Sequence, residues 1–431
     1  MIEQLLAYNT IVVLLGVSIL GAGAGLVGSF AVLRKRALTG DAVAHAALPG
    51  VCVAFLILGQ RNLTFMLLGA LASGVLGIVI IAALCRWTRV REDAAIGIVL
   101  SVFPGLGFAL SRIIQNMTTS GSKAGLESFI LGKTAGMTRP DVYLILASAL
   151  FCLAVVLILY KEFKVVAFDS GFARSLGWPI YWLDLLLMSL IAVAVVIGLP
   201  AVGIIMMAAL LILPGAAARF WTDSLGWLLS IAGAFGLLTG LIGTVFSALF
   251  SVFPAGPIIV LSGSAIFLVS MLFGTRRGAI VRLLEHRRFQ REFGQRQLLL
   301  ATYDVASRTG QARVSAADLL ARNSWSPRQV EGLISNAAGS GLVERIEAED
   351  FRFTPAGLAR AVEVTRGQRL WEELLTEYPE LAGSVANLAS ESVDQYVEPA
   401  IVAGLTARLK SQSRWPEWDG AVLRPTQEAV L

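Results

Sequence analysis

Nine runs of about 20 predominantly apolar residues constrain this chain more than any other feature; they lie at about 10–33, 37–59, 64–85, 93–113, 140–160, 181–199, 202–219, 226–250 and 256–274. A run of that length reaches across a hydrocarbon core roughly 30 Å thick. Its backbone polar groups must then be satisfied within the segment, which leaves the helix as its fold. Charged residues make up 15% of the 431, against roughly a quarter in soluble domains. The chain therefore reads as an all-α polytopic membrane protein with about nine transmembrane helices.

The charges that remain sit where loops should be. Arg34-Lys35-Arg36, then Arg86, Arg89 and Arg91, then Lys161 and Lys164, then Arg276-Arg277 alternate with weakly charged loops. The positive-inside rule puts all four groups in the cytoplasm, with the N-terminus outside. Fifteen basic and ten acidic residues precede Thr275, and twenty of each follow, so the net charge of +5 belongs to the membrane half. Such a balance is no pointer to nucleic acid. Met1-Ile2-Glu3-Gln4 lacks a basic n-region and a small-residue cleavage motif, so the first run is expected to be a retained span. Cys52, Cys85 and Cys152 lie in apolar runs without metal-ligand spacing, and no disulfide framework is indicated. Gly21, Gly23, Gly25 and Gly28 in the first run, and Gly233, Gly236, Gly240 and Gly243 in the eighth, predict close helix packing within the chain.

From Leu298 the pattern becomes soluble. Residues 298–308 and 315–322 read as amphipathic helices, and Ser326-Pro327 starts another through Ala338. Leu342–Ile346 and Phe351–Phe353 predict a hairpin, and Thr354-Pro355 opens a helix to about Tyr378. That order predicts a C-terminal cytoplasmic winged-helix α+β domain. The expected divisions are 1–275 transmembrane, 276–297 linker helix, 298–366 winged helix and 367–431 helical region and tail.

Asp41 and His45 carry the clearest chemistry. Four residues apart in the second run, they stack on one helical face. Ionisable groups in a span are costly and by default mark an ion or proton pathway. A carboxylate oxygen with an imidazole nitrogen suits manganese, zinc or iron. Spacing alone leaves open a second reading, an interfacial pair near the cytoplasmic end that is merely solvated or capping. Pro49-Gly50 is expected to break the helix ladder locally, where backbone approaches a pathway. Cys52, seven residues past His45, shares the face but reads first as a small hydrophobe. Met206 and Met207 read as core, and His286 as part of a solvated or headgroup-facing helix. A second segment, Phe168 to Trp178, is a short helix-forming stretch of mixed polarity on the cytoplasmic side, ending at Gly177 and Pro179.

The run from Val32 to Gly50, with Gly40-Asp41, His45 and Leu48-Pro49-Gly50, resembles the signature of the ABC-type metal-ion permease family for manganese, zinc or iron. The stretch Asp169 to Gly177 resembles that family's coupling helix, and Ser128 to Lys133 its loop before the fifth span. The resemblance covers about residues 8–275. It implies a plasma-membrane subunit that imports a divalent metal, manganese first, through Asp41 and His45. Asp169, Ala173, Leu176 and Gly177 would then couple to a cytoplasmic ATPase. A second permease subunit, identical or paralogous, and an extracytoplasmic metal-binding lipoprotein or periplasmic protein would complete the assembly. No Walker motif occurs in the chain, so ATP hydrolysis is expected in trans. The metal is a passing substrate, and no permanently bound cofactor is expected.

The C-terminal part resembles metal-dependent repressors of the diphtheria-toxin-repressor type, including the dimerisation-like region after 367. Gln368 and Gln395 stand where those repressors place histidines, while Glu372 and Asp394 keep carboxylates. Amides are poor transition-metal ligands, so the four residues are expected to be a vestigial sensor site. Residues 298–366 hold eight basic and eight acidic side chains, which argues against DNA as a partner. The alternative is a membrane-anchored metal-responsive transcription regulator. A secondary transporter is a third reading, disfavoured because no further acidic relay appears in the runs.

Overall fold

The computed structural model describes residues 8–60, 62–116, 132–250, 254–309, 313–347, 350–378, 397–412 and 414–416. Contacts divide the chain into two units, Met1–Arg282 and Leu283–Leu431.

The apolar runs become helices. In the first unit these are α1 (Tyr8–Leu33), α2 (Leu38–Leu58), α3 (Leu63–Trp87), α4 (Glu92–Asn116), α5 (Arg139–Ile158), α8 (Ile180–Val202), α9 (Ile204–Ala218), α10 (Leu225–Leu249) and α11 (Ala255–Phe273), with the short α6 (Tyr160–Phe168) and α7 (Ser170–Ser175) between. Among the described residues eight are long and apolar enough to cross a membrane, not nine. The exception is α9, whose 15 residues reach only about 22 Å at 1.5 Å per residue. Gly203, with φ +80°, ends α8 and starts α9, cutting the apolar stretch 181–219 unequally. Met207 and Leu211 in α9 are fully buried, so protein rather than lipid surrounds much of this helix.

The glycine patterns are intramolecular contacts. A Cβ on Gly236 would lie 2.0 Å from the Gly21 carbonyl oxygen, and one on Gly28 would lie 1.9 Å from that of Leu211. Helices α1, α9 and α10 therefore meet backbone to backbone, which only small residues permit.

Polar contacts sort the ends of the bundle. At one end Arg34 reaches the Val166 carbonyl (2.7 Å) and Asp184 (2.9 Å), Arg36 pairs with Glu92, and Arg277 pairs with Asp223 (2.6 Å). Ser29 in the last turns of α1 packs on Gly215 in the last turn of α9. The basic loops are thereby brought to one end. At the other, Asn9 donates to the Ala135 carbonyl (2.8 Å), and the Lys133 amide donates to Pro200 (3.2 Å).

The second unit is built on α12 (Ala279–Thr309), which crosses the unit division in its first turn, β1 (Arg313–Ser315), α13 (Ala316–Arg322), α14 (Pro327–Gly339), β2 (Val343–Arg345), β3 (Asp350–Phe353), α15 (Pro355–Glu377) and α16 (Pro399–Ser411). From Ala279 the expected linker and first soluble helix are one continuous helix, because between 279 and 308 only Gly294 opposes it. The division drawn at 366 falls inside α15. The hairpin is present, and a short strand that the sequence reading did not foresee, β1, joins it in antiparallel order β1-β3-β2. Ser326 and Gln329 form a reciprocal cap on α14, and Thr354 caps α15 by accepting from the Gly357 amide at 3.0 Å. Leu298, Leu319, Ile334, Phe351 and Phe353 are core.

Candidate metal pathway

Asp41 and His45 sit in the first two turns of α2, where Nε2 of the imidazole lies 3.6 Å from a carboxylate oxygen. Each side chain is about one-third exposed (33% and 34%), whereas Val43, Ala44, Ala46 and Ala47 are buried against other helices. The pair thus occupies the side of α2 that this single chain leaves partly open. Among the described residues no group of three or more His, Cys, Asp or Glu comes together. Two side chains cannot fill a first-row metal's coordination sphere. Water, backbone carbonyls or another subunit would have to supply the rest.

Pro49 and Gly50 do not interrupt the helix, which runs on to Leu58. What Pro49 removes is one ladder bond, the one its missing N–H would donate to the carbonyl of His45. The residue that carries the imidazole is therefore left with a carbonyl free of the ladder. Gly50 has a packing role: its Cβ would lie 2.0 Å from the Gly69 carbonyl oxygen, so it lets α2 and α3 touch. Cys52 is fully buried, its thiol 3.6 Å from the Gly107 carbonyl of α4, and behaves as a core residue. Met206 and Met207 are buried, and His286 is exposed beside Gln290.

The sequence reading missed the charge network at the end of the bundle that carries the basic loops. Asp184 lies in the second turn of α8 and holds both Arg34 and Arg36, and Arg36 also meets Glu92. It is an acid within the apolar run expected at 181–199. Two arginines neutralise it, so it offers no free relay carboxylate. Its signal was available, since a charge inside such a run demands a partner. Arg34 also ties α6 into this network, two residues short of Phe168.

Beyond α6, Asp169 caps α7 by accepting from the Phe172 amide at 2.8 Å. Ala173 is fully buried and anchors the segment, while Phe168, Phe172 and Leu176 are exposed at four-residue spacing. Gly177 closes it in the left-handed region, φ +75°. Of the loop expected from Ser128 to Lys133, residues 128–131 lie outside the described residues. Gly132 packs against Val202 and Gly203 in a left-handed conformation.

In the second unit Gln368 accepts from Arg296 (3.3 Å) and donates to Glu372 (3.1 Å), which lies 3.7 Å from Arg414. Arginines on both sides oppose a cation there. Asp394 and Gln395 lie outside the described residues.

The sequence profile of a family described as "ABC 3 transport family" matches residues 7–274. The manganese transport system membrane protein MntC of Bacillus subtilis is 39% identical over 92% of this chain and 89% of its own. That alignment extends well into the second unit. The zinc transport system membrane protein TroC of Treponema pallidum is 45% identical over 64% of this chain and 92% of its own. The solved structure "PsaBC from Streptococcus pneumoniae in complex with Fab" is 29% identical, with a TM-score of 0.57 over 66% of this chain and 98% of its own.

Proposed function

This chain belongs to the ABC 3 transport family, and we propose that it is the permease subunit importing a divalent metal, manganese first with zinc and iron behind it. It is a membrane transport subunit, and a separate ATPase supplies the hydrolysis. The observation that carries the reading is the Asp41–His45 pair, 3.6 Å apart on the open side of α2. A hard oxygen beside an imidazole nitrogen fits manganese and zinc alike. A sparse ligand set suits transport, which needs binding weak enough to release the ion. The freed His45 carbonyl is a candidate third donor, and a second permease subunit would cover the open side. Manganese stands first because the manganese-named relative matches across both units.

Asp169, Ala173, Leu176 and Gly177 form the element that meets the ATPase. Support comes from the capped, anchored α7 with its exposed apolar ridge. With the basic loops gathered at one end, that end is cytoplasmic, α9 passes through the bundle as a ninth crossing, and the second unit is cytoplasmic. The second unit is a winged helix followed by a dimerisation-like region. Gln368, Glu372, Asp394 and Gln395 are remnants of a sensor site, a reading favoured by the arginines around the first two. An extracytoplasmic metal-binding protein delivers the substrate.

Asp41→Asn and His45→Gln test the pathway in cells, with metal uptake as the readout. Each should lower manganese uptake at least tenfold while membrane insertion and assembly with the ATPase stay near native. Native uptake by Asp41→Asn would refute the site.

A further inference from the structure

We propose that the first half of α12, from Leu283 to Phe293, together with Arg328 of α14, is a docking surface for a leaflet rich in acidic phospholipid. Three observations on the second unit converge on it. The first is charge. The balance of twenty basic and twenty acidic residues after Thr275 hides a sharp partition. Residues 275–297 hold seven arginines and two glutamates, while 298–431 hold thirteen basic and eighteen acidic residues.

The second is pairing. Eight arginines between Arg308 and Arg414 hold carboxylates within 4 Å. Among the described residues Arg287, Arg288, Arg291 and Arg328 have no such partner. Arg287, Arg291 and Arg328 line one cleft of about 550 Å³ between α12 and α14, beside Trp325, and no carboxylate lines it. These guanidinium groups are exposed and, among the described residues, carry no protein counter-charge, and their planar forks suit phosphate oxygens.

The third is exposure. Every residue from Leu283 to Phe293 is exposed. Leu283, Leu284, Phe289 and Phe293 are nonetheless each more than half exposed. Phe289 and Phe293 stack with ring centroids 6.0 Å apart. Phe289 and Phe293 project from one side of the helix and Arg287 and Arg291 from the other, so the aromatic pair can enter the acyl boundary while the long arginines reach headgroup phosphate. The span α11 ends at Phe273, and residues 274–282 extend at most about 30 Å, so the chain tethers Leu283 within that reach of the end of the span. Juxtamembrane arginines there would find the phosphate of acidic headgroups.

The test uses the full chain in lipid nanodiscs, with a spin label at Phe289→Cys in a Cys85→Ser background, since Cys52 and Cys152 are buried. Accessibility to a water-soluble nickel chelate is compared with accessibility to oxygen. In discs with about one-third phosphatidylglycerol, chelate access should fall several-fold relative to neutral phosphatidylcholine discs, and the drop should reverse in high salt. The triple variant Arg287→Gln/Arg291→Gln/Arg328→Gln should lose the drop, and a label at Arg308→Cys should stay water-accessible throughout. Millimolar inorganic phosphate added to neutral discs should leave the Phe289→Cys label unchanged. If free phosphate produces the shift, the ligand is a soluble anion and the lipid assignment falls. Equal access in both discs, or a label shielded equally in both by a second copy or the ATPase, would overturn the proposal.

Discussion

Replacing Asp184 with asparagine removes the charge that holds one end of the bundle together. Asp184 is only 16% exposed and accepts from Arg34 at 2.9 Å while contacting Arg36. A hydrogen bond to a charged group contributes about 1.5–3 kcal/mol, and losing one partner of a partly buried pair strands the other's charge. Asparagine keeps one oxygen for Arg34 but turns an amide donor or a weaker acceptor towards Arg36, which retains Glu92. With partial solvent screening the expected loss is about 2–3 kcal/mol. For a unit of this size that corresponds to a Tm roughly 5–10 °C lower, measurable by thermal unfolding of the purified protein in detergent. Glu92→Gln is the control, since Glu92 is 35% exposed and among the described residues its ion pair is with Arg36 alone, so it should cost under about 1 kcal/mol. Hydrogen exchange should rise in α6, because Arg34 also holds the Val166 carbonyl. If Asp184→Asn melts no lower than Glu92→Gln and α6 exchange is unchanged, the network does not hold these ends together.

Gly236→Ala should destabilise the membrane unit by about 1–3 kcal/mol or more through overpacking, because its Cβ meets the Gly21 carbonyl. Gly105→Ala, with nothing within 4 Å, should be neutral in the same melt, and equal losses would refute the crossing. Gly177→Val should lower uptake per ATP hydrolysed in the reconstituted transporter. The cause is strain, since φ is +75° with open space around the Cβ, and a left-handed branched residue costs about 1–2 kcal/mol. Gly177→Asn should therefore lie much nearer native, and an asparagine variant as poor as valine would point to a lost contact instead.

The amino-acid sequence by itself determined the helices and their order, because a 20-residue apolar run has one way to satisfy its backbone in lipid. It also determined the helix starts at Ser326 and Thr354 in the second unit, because caps are local events within three residues. The Asp41–His45 face was legible for the same reason, as four-residue spacing is a property of the helix alone. Asp184 could be seen as a charge, but not that arginines 148 and 150 positions earlier would neutralise it. Only tertiary packing decided that Gly203 would cut α9 to 15 residues, that Gly50 would meet Gly69, and that Cys52 would turn to Gly107. The same is true of the arginines: composition showed a neutral second half, while the fold gave eight arginines between Arg308 and Arg414 a carboxylate and, among the described residues, left Arg287, Arg288, Arg291 and Arg328 without one. Periodicity is set by neighbours along the chain. Partnership is set by which residues distant in sequence the packed helices bring within a few ångströms, and no local pattern encodes that.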